Sequence, residues 1–174
     1  AHGRDGLETV VIRPGVIWGP GDATVMPRLL ALLRRRRLVF IGNGSNHLGI
    51  SHVANLSQAL VLAATSPVAA GQLYHVTDGE EITARDVFTA LAAAQDLPPP
   101  RRSLPFPVAY LLAMLAECSA RWRSAPPGLS RYGVRLVACD CRYDIGKVRR
   151  ELDYRPTIDF RQGMASLFAQ ERPA

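Results

Sequence analysis

Apolar positions in this chain change period along its length, and the changes lay out alternating strands and helices. The stretch "LETVVIRPGV" (7–16) is almost continuously apolar and β-branched. That is the pattern of a strand buried on both faces of a parallel sheet, and Pro14 and Gly15 end it. After the loop "GVIWGPGDAT", Met26, Leu29, Leu30 and Leu33 recur at helical spacing, with Pro27 suited to a first turn. They predict a helix over about 25–36. "LVFIGNGSNHLGI" (38–50) then sets two short apolar runs around a Gly/Asn turn and reads as a hairpin-like excursion.

Val53, Leu56, Leu60 and Ala63 mark a second amphipathic helix, and "GQLYHVTDG" (71–79) supplies a second sheet strand. Thr83 is placed to cap a helix that carries Val87, Phe88 and Leu91. "LPPPRRSLPFP" (97–107) cannot hold a helix, because successive prolines remove donors and extend the residues before them. It is a linker or a pocket rim. A short helix at 108–123, a "GLSRYG" turn region, and a final helix with Phe160, Met164, Leu167 and Phe168 on one face complete the chain. Alternating strands and helices without an internal repeat predict an α/β fold.

Composition narrows the partners. With 174 residues, 48% of them hydrophobic, the chain can bury one sizeable core. Its formal charge of +6 is carried almost wholly by arginine, Lys147 being the single lysine. A basic balance admits nucleic acid or an anionic membrane. The densest run, "RRRR" (34–37), directly follows "LLALL" and lacks interleaved aromatics, so it reads as a solvated helix end and no nucleic-acid partner is expected.

Cys118, Cys139 and Cys141 form neither an even disulfide framework nor paired zinc ligands, which favours a reducing, cytoplasmic compartment. The four histidines, His2, His47, His52 and His75, have no metal-ligand spacing, and no metal is expected. The chain starts on Ala, and "AHGRDGLETVV" reads as an interior start without a signal-length apolar core. The run "VAYLLAMLA" (108–116) is about half of the roughly 20 residues a spanning helix needs. Arg101, Arg102, Arg121 and Arg123 frame it, so peripheral membrane contact through 104–123 stays open beside core packing or a pocket wall.

Two chemical signals stand out. Gly42-x-Gly44 follows a strand-like run, but a dinucleotide loop needs a third glycine where His47 stands and a helix opening at once, so an ordinary turn is expected. Tyr143 and Lys147 have the Tyr-x-x-x-Lys spacing by which an ammonium on the same helical face lowers a tyrosine's pKa for proton transfer. Asp144 between them is a natural N-cap. It would leave Tyr143 before the helix and Lys147 exposed in the first turn, so the side chains should diverge.

Four segments, "ETVVIRPGVIWGPGD", "HVANLSQALVLAA", "GQLYHVTDGEEIT" and "RYDIGKVRRELDYRPTIDFRQGM", stand in an order and spacing similar to the C-terminal half of extended short-chain dehydrogenases. The resemblance covers nearly the whole chain. Nucleotide-sugar epimerases and dehydratases of that superfamily carry Asn where this chain has Val16, and Arg-Asp where it has Leu48-Gly49. "MPRLL", "FIGNGSN" and "AAGQLYHVTD" instead resemble the 3β-hydroxysteroid dehydrogenase/isomerase branch.

The resemblance implies one incomplete domain (1–174) forming the C-terminal part of a Rossmann-like NAD(P)-binding fold. Residues 1–24 and 53–78 would give the last parallel strands and a helix, and 25–52 with 79–174 a small, mainly helical substrate-binding region. NAD or NADP would be the cofactor, with the backbone at Pro14, Gly15, Val16 and Ile17 against the nicotinamide carboxamide. Trp18, Met26 and His52 would approach a small hydrophobic substrate, a 3β-hydroxysteroid-like secondary alcohol or ketone. No catalytic residue falls within the chain, because the family's glycine-rich loop and Tyr-x-x-x-Lys precede the "RPG" strand. The alternatives left open are a non-catalytic NAD(P)-binding or protein-interaction module of the same fold, a nucleotide-sugar epimerase/dehydratase relative, and a homodimer of any of these.

By itself, the strand at 8–13 would expose an apolar edge. The isolated 174-residue chain is therefore expected to be poorly soluble or partly unfolded. Size-exclusion chromatography showing a monodisperse monomer, with a cooperative melt, would contradict this.

Overall fold

In a computed structural model that describes residue 3 and residues 6–123 and 129–169, the α/β reading holds, and every strand pair is parallel. His2 and the side chain of Phe168 lie outside what is described. The chain separates into two units: residues 1–27, 49–81 and 142–174 form the first, and residues 28–48 and 82–141 the second.

In the first unit, β1 (Val11–Pro14) pairs with β5 (Leu73–Val76), Val11 opposite Leu73 and Pro14 opposite Val76. Tyr74 and Val76 point into a core with Leu56, Ala59, Val148 and Tyr154, onto which Val10 and Ile12 pack. The expectation that this first strand is buried on both faces is corrected: Val11 and Arg13 are exposed. Among the described residues β1 has one strand neighbour, so its other edge is unpaired, and the face that carries Val11 and Arg13 is exposed.

β2 (Val16–Trp18) pairs with β4 (Ile50–His52), Val16 opposite Ile50. His52 then caps α2 (Val53–Thr65), its ring nitrogen accepting from the Ala54 amide. The stripe of α2 is also shifted from the expected one. Leu56 and Ala63 are buried with Asn55 and Ala59, whereas Val53 and Leu60 face out. The polar Asn55 takes the inward place because its amide group is fully hydrogen-bonded there.

α6 (Gly146–Leu152) packs on β5 and buries Val148 and Leu152. α7 (Phe160–Ala169) buries Gly163 and Met164. α1 (Val25–Arg34) starts in the first unit, where Asp22 accepts from the amides of Thr24, Val25 and Met26. Burial alone would raise the Asp22 pKa, but these hydrogen bonds outweigh it and hold the carboxyl below its usual range.

In the second unit the hairpin expectation is corrected. β3 (Phe40–Ile41) pairs in parallel with β6 (Ser103–Leu104) inside the proline-rich segment, while the second apolar run, at Ile50, belongs to β4. Gly42 and Gly44 both take positive φ (68° and 72°) and turn the chain away, and His47 bridges to Thr83 instead. That is the ordinary turn expected for Gly42-x-Gly44.

α3 (Ala84–Ala94) opens on a capping box between Thr83 and Asp86 and buries Val87, Phe88 and Leu91. Phe88 stacks on Phe40 at 5.5 Å between ring centroids. α4 (Phe106–Arg123) and α5 (Arg131–Ala138) meet through Ala109, Ala113 and Val134, which form a second small core. Arg34 to Arg37 are all exposed at the end of α1, as the run of cations suggested.

Candidate functional site

In the first unit the C-terminal ends of three parallel strands come together on one carboxyl group. Asp78, two residues past the end of β5 and 5% exposed, accepts from Trp18 Nε1 at 2.9 Å. It also accepts from the His52 amide at 2.7 Å and from Asn55 Nδ2 at 2.8 Å. Trp18 ends β2 and His52 ends β4, so a single side chain fixes the ends of β2, β4 and β5. Ligands of open α/β sheets bind at this end of the strands.

Asn55 uses its whole amide. Nδ2 also donates to the Ile158 carbonyl, and Oδ1 accepts from the amides of Thr157 and Ile158 at 3.0 Å each. The segment leading to α7 is thereby tied to α2, and Phe160 tilts against Trp18 at 5.6 Å. A Cβ on Gly163 would run into the Trp18 ring, and one on Gly19 would press His52. These two glycines make room for the pair.

The turn from β1 to β2 is equally constrained. The Gly15 amide donates to the Val76 carbonyl at 3.1 Å and to Ser51 Oγ at 2.9 Å, and Ser51 Oγ donates in turn to Val76 O at 2.7 Å. A side chain at Gly15 would collide with the backbone of Gly49. Val16 N donates to Gly49 O at 2.7 Å on the β4 side. Backbone groups alternate sides along a parallel strand, so the N–H and C=O of Ile17 face the other edge, where no strand lies among the described residues. The Ile17 side chain is 46% exposed, while Trp18 beside it is buried.

The structure thus brings Pro14 to Trp18 and His52 into one rigid corner. Met26 stands apart in the set held by Asp22, buried at the start of α1. Sequence reasoning passed over Asp78, Ser51 and Asn55. The available signal for Asp78 was an acidic residue just past a buried strand and before Gly79, which takes φ +74°.

Tyr143 and Lys147 part as expected. Tyr143 stacks on His75 at 5.5 Å, and Asp144 accepts from the Gly146 amide at the start of α6. Lys147 is half-buried rather than exposed: its Nζ donates to Gln72 Oε1 at 2.8 Å and lies 4.9 Å above the Tyr74 ring. Burial and the hydrogen bond to Glu151 push Tyr74 up to about 12, the reverse of what a proton-transferring tyrosine needs.

His52 carries the site's pH dependence. Burial lowers its pKa, and the nearby Asp78 only partly offsets this. Its Nδ1 accepts from Ala54, so the buried Nε2, which has no partner among the described residues, holds the proton of the neutral ring. The folded state then binds an added proton more weakly than the unfolded chain. This contribution to stability is intact above about pH 6.5 and falls as the pH drops below it. Urea unfolding of the purified protein at pH 7.5 and 5.5 should show a lower midpoint at 5.5, and His52→Gln should remove much of that difference.

Comparison with known proteins bears on the family and the fold. The model of the 3-beta hydroxysteroid dehydrogenase/isomerase family matches residues 1–107. A 2-alkyl-3-oxoalkanoate reductase of Stenotrophomonas maltophilia is 32% identical over 94% of the chain and 51% of its own length. The 3beta-hydroxysteroid-dehydrogenase/decarboxylase isoform 1 of Arabidopsis thaliana is also 32% identical, over 94% of the chain and 40% of its own length. The chain spans about half the length of the curated relatives it matches first. Among solved structures, UDP-glucuronic acid 4-epimerase from Bacillus cereus, in complex with UDP-glucuronic acid and NAD, superposes with a TM-score of 0.63 at 16% identity. That match covers 92% of this chain and 44% of the epimerase, and it shows the shared fold.

Proposed function

The chain belongs to the 3-beta hydroxysteroid dehydrogenase/isomerase family, and from that membership we propose that it is the substrate-binding half of an NAD(P)-dependent oxidoreductase acting on a hydrophobic, steroid-like secondary alcohol or ketone. The observation that carries the cofactor part is the open edge of β2. One residue, Ile17, turns one N–H and one C=O toward the uncovered side at the C-terminal end of the strands, and that is the hydrogen-bonding complement of a carboxamide.

The donor set fits a nicotinamide ring. Gly15 and Val16 are held by Val76, Ser51 and Gly49, so the edge is ordered before anything binds. Pro14 fixes the chain at the end of β1, and the half-exposed Ile17 side chain offers an apolar flank. NAD(P), when bound, gives or accepts the hydride. The chain's own part is to orient the ring and hold the strand ends still. In this reading the proton-transferring Tyr-x-x-x-Lys and the glycine-rich loop belong to polypeptide outside these 174 residues.

The substrate class rests on the relatives. Their names describe a 3-oxoalkanoate with an alkyl branch and a 3β-hydroxysteroid, each a ketone or secondary alcohol on an apolar skeleton. Val16 and Leu48-Gly49, where epimerases and dehydratases carry polar or charged residues, agree with an apolar rather than a diphosphate-bearing substrate.

Protein expressed from its complete reading frame should bind NADH or NADPH by calorimetry and oxidise it in the presence of lipophilic ketones, not UDP-sugars. Tight nicotinamide binding without turnover of any lipophilic alcohol or ketone would overturn the substrate assignment.

A further inference from the structure

The turn after β3, in the second unit, sets an asparagine side chain beside the amide that can attack it. Of the three asparagines, Asn43, Asn46 and Asn55, only Asn43 precedes a glycine, and it is exposed. The fold fixes that glycine: Gly44 has φ +72°, and a Cβ there would meet the Phe40 ring at 2.6 Å. The same missing Cβ leaves the Gly44 nitrogen unshielded. Its N–H donates no hydrogen bond among the described residues, so the nitrogen is uncommitted.

Both ends of an attack by Gly44 N on Asn43 Cγ carry donors. Asn43 Oδ1 accepts from the Ser45 amide at 3.0 Å and from Ser45 Oγ at 2.7 Å. Two donors on this oxygen stabilise the negative charge it gains when Cγ becomes tetrahedral. The Arg85 guanidinium donates to the main-chain carbonyl of Asn43, and its carbon lies 4.6 Å from the centroid of the Phe40 ring, which holds it in place. That carbonyl belongs to the same peptide group as the Gly44 N–H. A cation on it favours loss of the amide proton, which is what the nitrogen needs before it can attack.

We propose that Asn43-Gly44 is a self-modification site, at which the chain cyclises to a succinimide and reopens as an aspartyl or isoaspartyl residue. The Gly44 nitrogen gives its proton to a base in the solvent and bonds to Asn43 Cγ. The Cγ–Nδ2 bond breaks, a proton returns to the leaving nitrogen, and ammonia departs. Water then adds to one of the two imide carbonyls. Opening at Cγ leaves aspartate at 43, whereas opening at the main-chain carbonyl routes the backbone through Cβ and Cγ. This longer form is the damaging one, because the turn is tied on several sides: Gly42 N donates to Leu104 O, Arg85 N to Gly44 O and Ala84 N to Asn46 O. A lengthened backbone cannot keep all of these bonds to β6 and the start of α3. Aspartate keeps them, with an oxygen still in place for Ser45.

The test is to age the purified protein, from its complete reading frame, in mildly alkaline buffer at physiological temperature and to locate the products by peptide mass spectrometry. Asn43 should convert well ahead of Asn46 and Asn55, through an intermediate lighter by one ammonia. In water enriched in heavy oxygen the new carboxyl should carry the label. Ser45→Ala and Arg85→Gln, each checked for an unchanged circular dichroism spectrum, should slow conversion at least about threefold. In a free peptide of residues 40–48, Ser45→Ala should change the rate little, because nothing there holds the donors on Oδ1. The isoaspartyl protein, once separated, should unfold at a lower urea midpoint than the parent, and Asn43→Asp should not. Conversion at Asn43 no faster than at Asn46 would overturn the proposal. So would unaltered rates in both variants, or chain cleavage after Asn43 in place of cyclisation. An isoaspartyl form as stable as the parent would overturn the consequence drawn for the turn.

Discussion

A buried carboxyl group with no cationic partner among the described residues is the constraint on which the first unit depends. Asp78 is satisfied by an indole N–H, a backbone amide and a side-chain amide, drawn from β2, β4 and α2. Each donor is itself buried, so each would be costly to leave unpaired. The three strand ends are therefore specified together rather than one by one. Trp18 cannot turn outward without stranding the carboxyl, and His52 cannot leave the start of α2 without breaking both its amide bond and its cap. These bonds leave the corner at Pro14–Ile17 with a backbone fixed on the β4 side and open on the other.

The alternation of elements was legible in the sequence because it rests on local rules. The Thr83 cap and the period of Val87, Phe88 and Leu91 appear where the residues put them, whereas the proline-rich break expected over 97–107 ends at Pro105, because Phe106 and Pro107 form the first turn of α4, where a proline loses no helical hydrogen bond. Pairing was less legible. "LVFIGNGSNHLGI" resembles a hairpin because local turn chemistry carries no information about Ser103, more than sixty residues on, which pairs with its first run. Burial was misjudged where a face is left open: β1 has a strand's apolar run, yet Val11 and Arg13 project from a face that the described residues leave exposed.

The corner at 14–17 stood out in the sequence through the family's motifs, and the divergence of Tyr143 and Lys147 was expected from Asp144, although Ile145 rather than Asp144 is the N-cap of α6 and, among the described residues, Asp144 accepts only from the Gly146 amide. The residues that hold the corner did not stand out. Asp78, Ser51 and Asn55 are polar side chains in largely apolar surroundings, and a sequence pattern cannot separate such residues from solvated ones until partners distant in sequence are known. Asn55 bonds to residues about a hundred positions away. Lys147 failed in the same way: its turn predicted exposure, but Gln72 and the ring of Tyr74 hold it.

The most direct test of the account is amide hydrogen exchange, read alongside urea unfolding, for Asp78→Ala and the milder Asp78→Asn. If the carboxyl group organises the strand ends, Asp78→Ala strands three buried donors. Stability should fall by about 3 kcal/mol or more, with protection lost first at residues 15–18 and 50–55, and Asp78→Asn should cost less because it keeps one acceptor. Unchanged exchange at those residues in Asp78→Ala, with stability within about 0.5 kcal/mol of the parent, would contradict it.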